Sequence, residues 1–187
     1  LLHSGLIRSQ PFLCMRLHLL KNTPHIAIYY DPHNDWLFLD WIGQLTLANV
    51  QTACLEISRC FLHRAYPRVL NSNLQVTSVS WGTVGWLALE FMPQLAPAGV
   101  EHVAWVCSPS LWGRSVVQRI VGLLPQAAIS LFDDVETAAN WLQQARLQSA
   151  KGYLLPQRAA SDQAKLAQQV ERLKQQVVVQ QQRPPRW

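Results

Sequence analysis

The chain has 187 residues, 49% hydrophobic and 14% charged, which supports one domain with a real core and excludes a wholly disordered chain. Its net charge of +5 is unevenly placed: residues 25–145 hold five arginines against nine acids, while residues 1–24 carry only basic charges and residues 146–187 set eight basic residues against Asp162 and Glu171. An acidic domain with basic ends is not a nucleic-acid-binding fold, so any polyanion contact must run through the tail.

Residues 1–24 read as an N-terminal extension. Arg8, Gln10, Pro11 and Arg16 interrupt any signal-peptide core, and Met15 is a candidate start. No apolar run reaches membrane-spanning length. His25 to Tyr30 reads as a strand, Asp31-Pro32-His33-Asn34-Asp35 as a turn, and Trp36 to Trp41 as the returning strand that Gly43 ends. The segment 25–42 is therefore a β-hairpin. Thr46 suits the cap of a helix whose apolar stripe includes Val50, Ala53, Cys54, Ile57 and Phe61, stopped by Tyr66-Pro67. Arg68 to Asn73 reads as a short strand opening into a polar loop, Asn71 to Gly85, and a helix follows from about Val84 to Leu95. Val103 to Cys107 and Ala127 to Phe132 read as buried strands. A helix is expected from Trp112 to Leu124, and another opens at Asp133-Asp134 and ends near Gln144.

Alternating strands and helices after a hairpin predict an α/β fold. The sheet is single and mixed, with about five strands, an antiparallel hairpin at its edge and parallel strands beyond. Helices pack on the sheet, and a helical or disordered C-terminal tail follows. The expected division is an extension at 1–24, the α/β domain at 25–146, and a linker with a Gln-rich basic tail at 147–187. Leu166, Val170, Leu173 and Val177 recur at spacings of 4, 3 and 4, a two-heptad seam that suggests a coiled coil and self-association through the tail.

Chemical motifs are sparse. Cys14, Cys54, Cys60 and Cys107 show no disulfide framework, which points to free thiols and a cytoplasmic setting. Cys60 and His63 stand three apart on a helix but lack a second ligand pair. Cys107 ends a strand where α/β folds place functional groups, and as a nucleophile it needs a base from His25, His33 or His102. The aspartates suit turns and helix caps better than acid/base catalysis. No glycine-rich phosphate loop is present. Trp81, Trp86 and Trp112 flank two loops at strand ends and are candidates to line an apolar pocket.

Several segments match a known pattern: Ile26 to Trp41, then Trp86-Leu87-Ala88-Leu89-Glu90-Phe91-Met92-Pro93-Gln94-Leu95, His102 to Pro109, and Ile129 to Leu142. Together they resemble the STAS group, the fold of bacterial anti-sigma-factor antagonists such as the SpoIIAA-like proteins and of the cytoplasmic domains of sulfate transporters, and most closely the bacterial STAS/SEC14-like proteins. The resemblance spans roughly residues 25–145. It implies a non-catalytic regulatory or scaffolding protein that works by protein–protein interaction, with a kinase or sigma-factor regulator as partner and no cofactor. In that group a serine in the loop before the second long helix is a phosphorylation switch. The corresponding loop here offers Ser78, Ser80 and Thr83 but lacks the usual Asp-Ser pair. The alternative reading is a small-molecule or lipid-binding module of the same fold. A third is a hydrolase-like enzyme built on Cys107.

Overall fold

The computed structural model describes residues 16–108, 128–148 and 158–182. Six strands form one mixed sheet whose spatial order follows the chain: β1 (His18–Asn22), β2 (Ile26–Asp31), β3 (Trp36–Leu45), β4 (Arg68–Val79), β5 (His102–Val106) and β6 (Ala128–Phe132). β1, β2 and β3 are antiparallel neighbours, and β3 to β6 run parallel. Helix α1 (Leu47–His63) crosses from β3 to β4. Helix α2 (Trp81–Trp86) runs directly into a π-helical turn (Leu87–Phe91) and a 3-10 turn (Met92–Gln94) before β5. Helices α3 (Val135–Gln148) and α4 (Ala160–Gln181) complete the described residues.

The hairpin turn is built as its residues dictate. Asp31 Oδ1 accepts the backbone N–H groups of His33 (3.0 Å) and Asn34 (3.1 Å), and its Oδ2 accepts the Asn34 amide at 2.8 Å. Asp35 then takes a left-handed conformation at φ 56°, which aspartate tolerates better than most residues. Gly43 does not end β3 as expected. It sits at φ 75° beside a register shift against β4, so its freedom bends the strand and lets it continue to Leu45.

The apolar residues divide between the two faces. Ile26, Ile28, Leu37, Leu39, Val69 and Val103 meet α1 and the helical segment that ends in Phe91 and Met92. Trp36, Phe38, Leu70, Ala104 and Val106 meet Ala138, Ala139 and Leu142 of α3. Thr46 caps α1, accepting from the Asn49 N–H at 3.3 Å, and Asp134 accepts the Thr137 N–H at 2.7 Å.

Further elements depart from the sequence reading. The sheet has a sixth strand, because β1 lies within residues 1–24; its five residues are all exposed, so no apolar alternation announces it, and only pairing with β2 makes it a strand. The expected loop from Asn71 is strand as far as Val79. Two of its polar residues bond to neighbouring strands: Trp41 Nε1 donates to Asn71 Oδ1 at 2.9 Å, and Asn73 Nδ2 donates to the Val106 carbonyl at 3.4 Å, while Asn71 Nδ2 finds no partner among the described residues. Finally, the seam is buried: Val170, Leu173 and Val177 pack with Leu55 of α1, with Leu62 and Trp86 beside them, and Leu166 joins the main core. Gln163 reaches the Leu62 carbonyl and Gln180 reaches Gln51, so α4 lies antiparallel on α1 as a third layer. The seam expected to drive self-association is thus covered within the chain. The expected helix Trp112–Leu124 lies outside the described residues.

Candidate functional site

β3 and β4 run on past the ends of β5 and β6 and finish side by side at Leu45 and Val79, and α2 begins there. Ser80 follows β4 directly and caps α2: its Oγ accepts the Thr83 N–H at 3.3 Å and lies 2.7 Å from Thr83 Oγ1. The cap is pinned to the end of β3, because the Ser80 N–H donates to the Leu45 carbonyl at 3.3 Å and Thr83 Oγ1 does so at 3.5 Å. This anchoring fixes the orientation of the helix. Thr83, Leu87 and Phe91 face inward. Trp81, Gly85 and Leu89, four residues apart, share the outward face together with Gly82. Trp81 is 65% exposed and Leu89 76%. A Cβ at Gly82 or Gly85 would meet nothing within 4 Å, so these glycines leave bare backbone between two large exposed apolar side chains.

Of the candidate switch residues, Ser78 is exposed near the end of β4 and Ser80 is exposed at the cap, whereas Thr83 is fully buried. Two of the three candidate pocket tryptophans lie among the described residues. Trp81 points outward, while Trp86 stacks on Phe91 (centroids 6.3 Å apart) and packs toward both α1 and α4. Trp112 lies outside the described residues. None of the three histidines considered as a base stands beside Cys107. His33 and His102 are at the opposite edge of the sheet. His25 is three strands away, about 14 Å at about 4.8 Å per strand. Burial pushes the Cys60 thiol up to about 11, helped by Glu56, which opposes thiolate ligation beside His63. Among the described residues no group of three or more metal-ligating side chains gathers, and no helix is long and apolar enough to cross a membrane.

Two polar clusters escaped the sequence reading, because their members are far apart along the chain. At the amino edge of the parallel strands, Asp35 Oδ1 accepts from Tyr30 Oη at 3.0 Å and from Arg64 at 2.7 Å; Arg68 donates to the Asp35 carbonyl at 2.9 Å. The Arg64 guanidinium lies 4.4 Å from the Tyr30 ring centroid and 5.5 Å from that of Tyr66. At the other edge, Gln75 Nε2 donates to Asp40 Oδ2 at 2.8 Å. Desolvation by burial raises the Asp40 pKa, and hydrogen bonds from Ser72 and Gln75 oppose it. A raised folded-state pKa favours the protonated acid, so this contribution to stability is full below the ordinary carboxylate range and is lost as pH rises through the raised value. Asp40→Asn removes that loss. Its stability relative to the unmodified chain is expected to improve from pH 3 to pH 7, read as the shift in urea midpoint; a difference flat across pH would refute this.

An open, polar cleft of about 690 Å³ lies between the turn after α2 and α4, lined by Pro93, Pro97, Lys165, Gln168, Arg172 and Gln175 among others. Its lining is not that of an apolar pocket.

The chain matches no protein-family model and no curated protein. Among solved structures it is similar to an uncharacterized protein of the DUF3478 family with a SpoIIAA-like fold from Shewanella loihica PV-4. The likeness is at 18% identity over 66% of this chain and 98% of that one, with a TM-score of 0.46. The α/β class and the mixed sheet rest on the strand order and pairing described above.

Proposed function

We propose that this chain is a non-catalytic regulatory or scaffolding protein whose partner protein docks on the outward face of α2. The observation that carries the reading is the joint exposure of Trp81 and Leu89 on one helix face, across two open glycines, on a helix whose cap is anchored to the sheet. Tryptophan is among the residues most enriched at binding hot spots, and large apolar side chains held outward on a rigid element incur little ordering cost when a partner covers them. Ser80, exposed at the start of the same face, is the position where a phosphate would alter docking.

The test is capture of partners from the native host with the full chain and with a Trp81→Ala/Leu89→Ala chain. The expected result is a partner whose affinity falls by about 30-fold or more in the double variant, the scale of a hot-spot loss of about 2 kcal/mol, with an unchanged melting temperature. Equal capture by both chains would refute the docking face. Ser80→Asp keeps a capping oxygen while adding a charge, so it is expected to weaken the same partner without loss of stability. Ser80→Ala is expected to lower stability by about 1 kcal/mol through loss of the cap.

A further inference from the structure

Helix α4 is held by few kinds of contact. Its four seam residues are buried, Leu173 completely. Around them the ties are Arg158 to the Ala98 carbonyl at 2.9 Å, Gln163 to the Leu62 carbonyl at 3.2 Å, the Gln180–Gln51 pair, and an Arg172–Glu90 ion pair at 2.5 Å. The ion pair has partly exposed partners and adds little.

The helix is also poorly equipped to stand alone. Its N-cap is Ala159, which makes no side-chain cap bond, and its last turn holds no basic residue. Val177-Val178-Val179 places three β-branched residues in succession near its end, where they lower helix propensity. A 22-residue helix of this kind is marginal in water without a surface to lie on. Release of α4 therefore means its local unfolding, an opening in which Leu166 leaves the core cluster while the strand pairing can persist.

The docked state carries a built-in penalty. Trp86 Nε1, Gln176 Oε1 and Arg158 Nε are buried, and none finds a hydrogen-bond partner among the described residues. Each would regain water when α4 leaves, which offsets part of the seam's contribution. Trp86 also belongs to two structures at once. Its ring packs near the α4 seam and stacks on Phe91, with an interplanar angle of 20°. Trp86 and Phe91 bracket the π turn Leu87–Phe91, which carries Leu89. Single π turns inside helices are less regular than α-helix and recur at functional positions.

We propose that α4 is a displaceable strap that sets the pose of the α2 face through Trp86 and the π turn, so that strap release and partner docking are coupled. The proposal rests on the docking reading of α2. Coupling of this kind is reciprocal: a partner that prefers a different pose of Leu89 loosens α4, and any ligand that holds α4 down weakens that partner.

The test needs no partner. Hydrogen exchange is followed on the full chain in sub-denaturing urea and on a Leu173→Lys chain. In the unmodified chain the amides of Leu166–Gln180 are expected to open as one unit, with protection at least about tenfold below that of β3 and β4. In Leu173→Lys the protection of Leu87–Phe91 is expected to fall by about tenfold while β3 and β4 are unchanged. Two results overturn the proposal: α4 amides that exchange only together with β3 and β4, or Leu87–Phe91 amides that ignore the substitution. If Leu173→Lys does not fold, the urea series and the milder Leu173→Ala give the same readout. Retained binding by the Trp81→Ala/Leu89→Ala chain would remove the docking reading, whereas the exchange data alone decide whether α4 and the π turn open together.

Discussion

Replacing Asp35 by alanine is expected to lower the stability of the fold by about 3 kcal/mol, because one residue serves three purposes. Its carboxylate joins Tyr30 and Arg64 and faces Arg68 at 3.5 Å; its carbonyl accepts from Arg68; and its backbone holds the left-handed turn of the hairpin. Arg68 is buried, and desolvation lowers its pKa while Asp35 opposes that shift. Removing the carboxylate leaves a guanidinium out of water with less compensation, the situation in which breaking an ion pair costs most. Alanine adds about 1 kcal/mol of left-handed strain that aspartate tolerates better.

Two further variants separate these effects. Asp35→Gly relieves the backbone and removes the carboxylate. Asp35→Asn keeps both a tolerant backbone and an acceptor, and loses only the charge. The expected order of destabilisation is alanine, then glycine, then asparagine, measured by urea unfolding at constant slope. The cluster is partly shielded from solvent, so the order should persist at high salt, where exposed pairs fade. Three variants equal within about 0.5 kcal/mol would show that the cluster does not act as a unit.

This cluster also marks the limit of what the chain discloses by itself. The turn Asp31 to Asp35 was legible, because its side chains bond their own backbone within three residues. So were the stripe and cap of α1, the cap at Asp134, and the parallel order of β3 to β6. These are local signals or follow from connection rules. The joining of Asp35 to Arg64 and Arg68 spans 29 and 33 residues and leaves no periodic trace.

The strand from Arg68 was legible but its length was not: Ser78, Ser80, Gly82, Thr83 and Gly85 point to a loop after Asn73, and β4 runs on to Val79. Pairing with β3 as far as Val79 supplied its backbone partners, and tertiary context prevailed. The seam of α4 was legible as a pattern, but its partner was not. Leu55 and Leu62 lie on the face of α1 away from the stripe that was read, and that second face is what α4 covers. The helix that carries the candidate docking face was legible in existence and misplaced at its start. Ser80 and Thr83 stand in a capping pair rather than in an open loop.

The same contrast separates the tryptophans and sets the second large effect. Eight tryptophans in 187 residues imply that most serve the core, but composition does not say which. Strand register does. Trp36 opens β3 on the face that meets α3, among Phe38, Leu70, Ala138 and Leu142, and is fully buried. Trp36→Ala is expected to cost about 3–5 kcal/mol, the loss of a large ring plus the cavity it leaves. Trp36→Phe should cost far less than its volume suggests, because the indole Nε1 has no hydrogen-bond partner among the described residues and removing it ends a buried polar penalty. Trp81→Ala, at a position 65% exposed, should change stability by no more than about 0.5 kcal/mol. The three variants, unfolded in urea side by side, divide the tryptophans by role. If Trp81→Ala destabilised the chain as much as Trp36→Ala, Trp81 would be a packing residue and the α2 face would lose its principal anchor. If Trp81→Ala left stability intact while partner capture fell, Trp81 would act on the α2 face as an anchor for docking rather than for the fold.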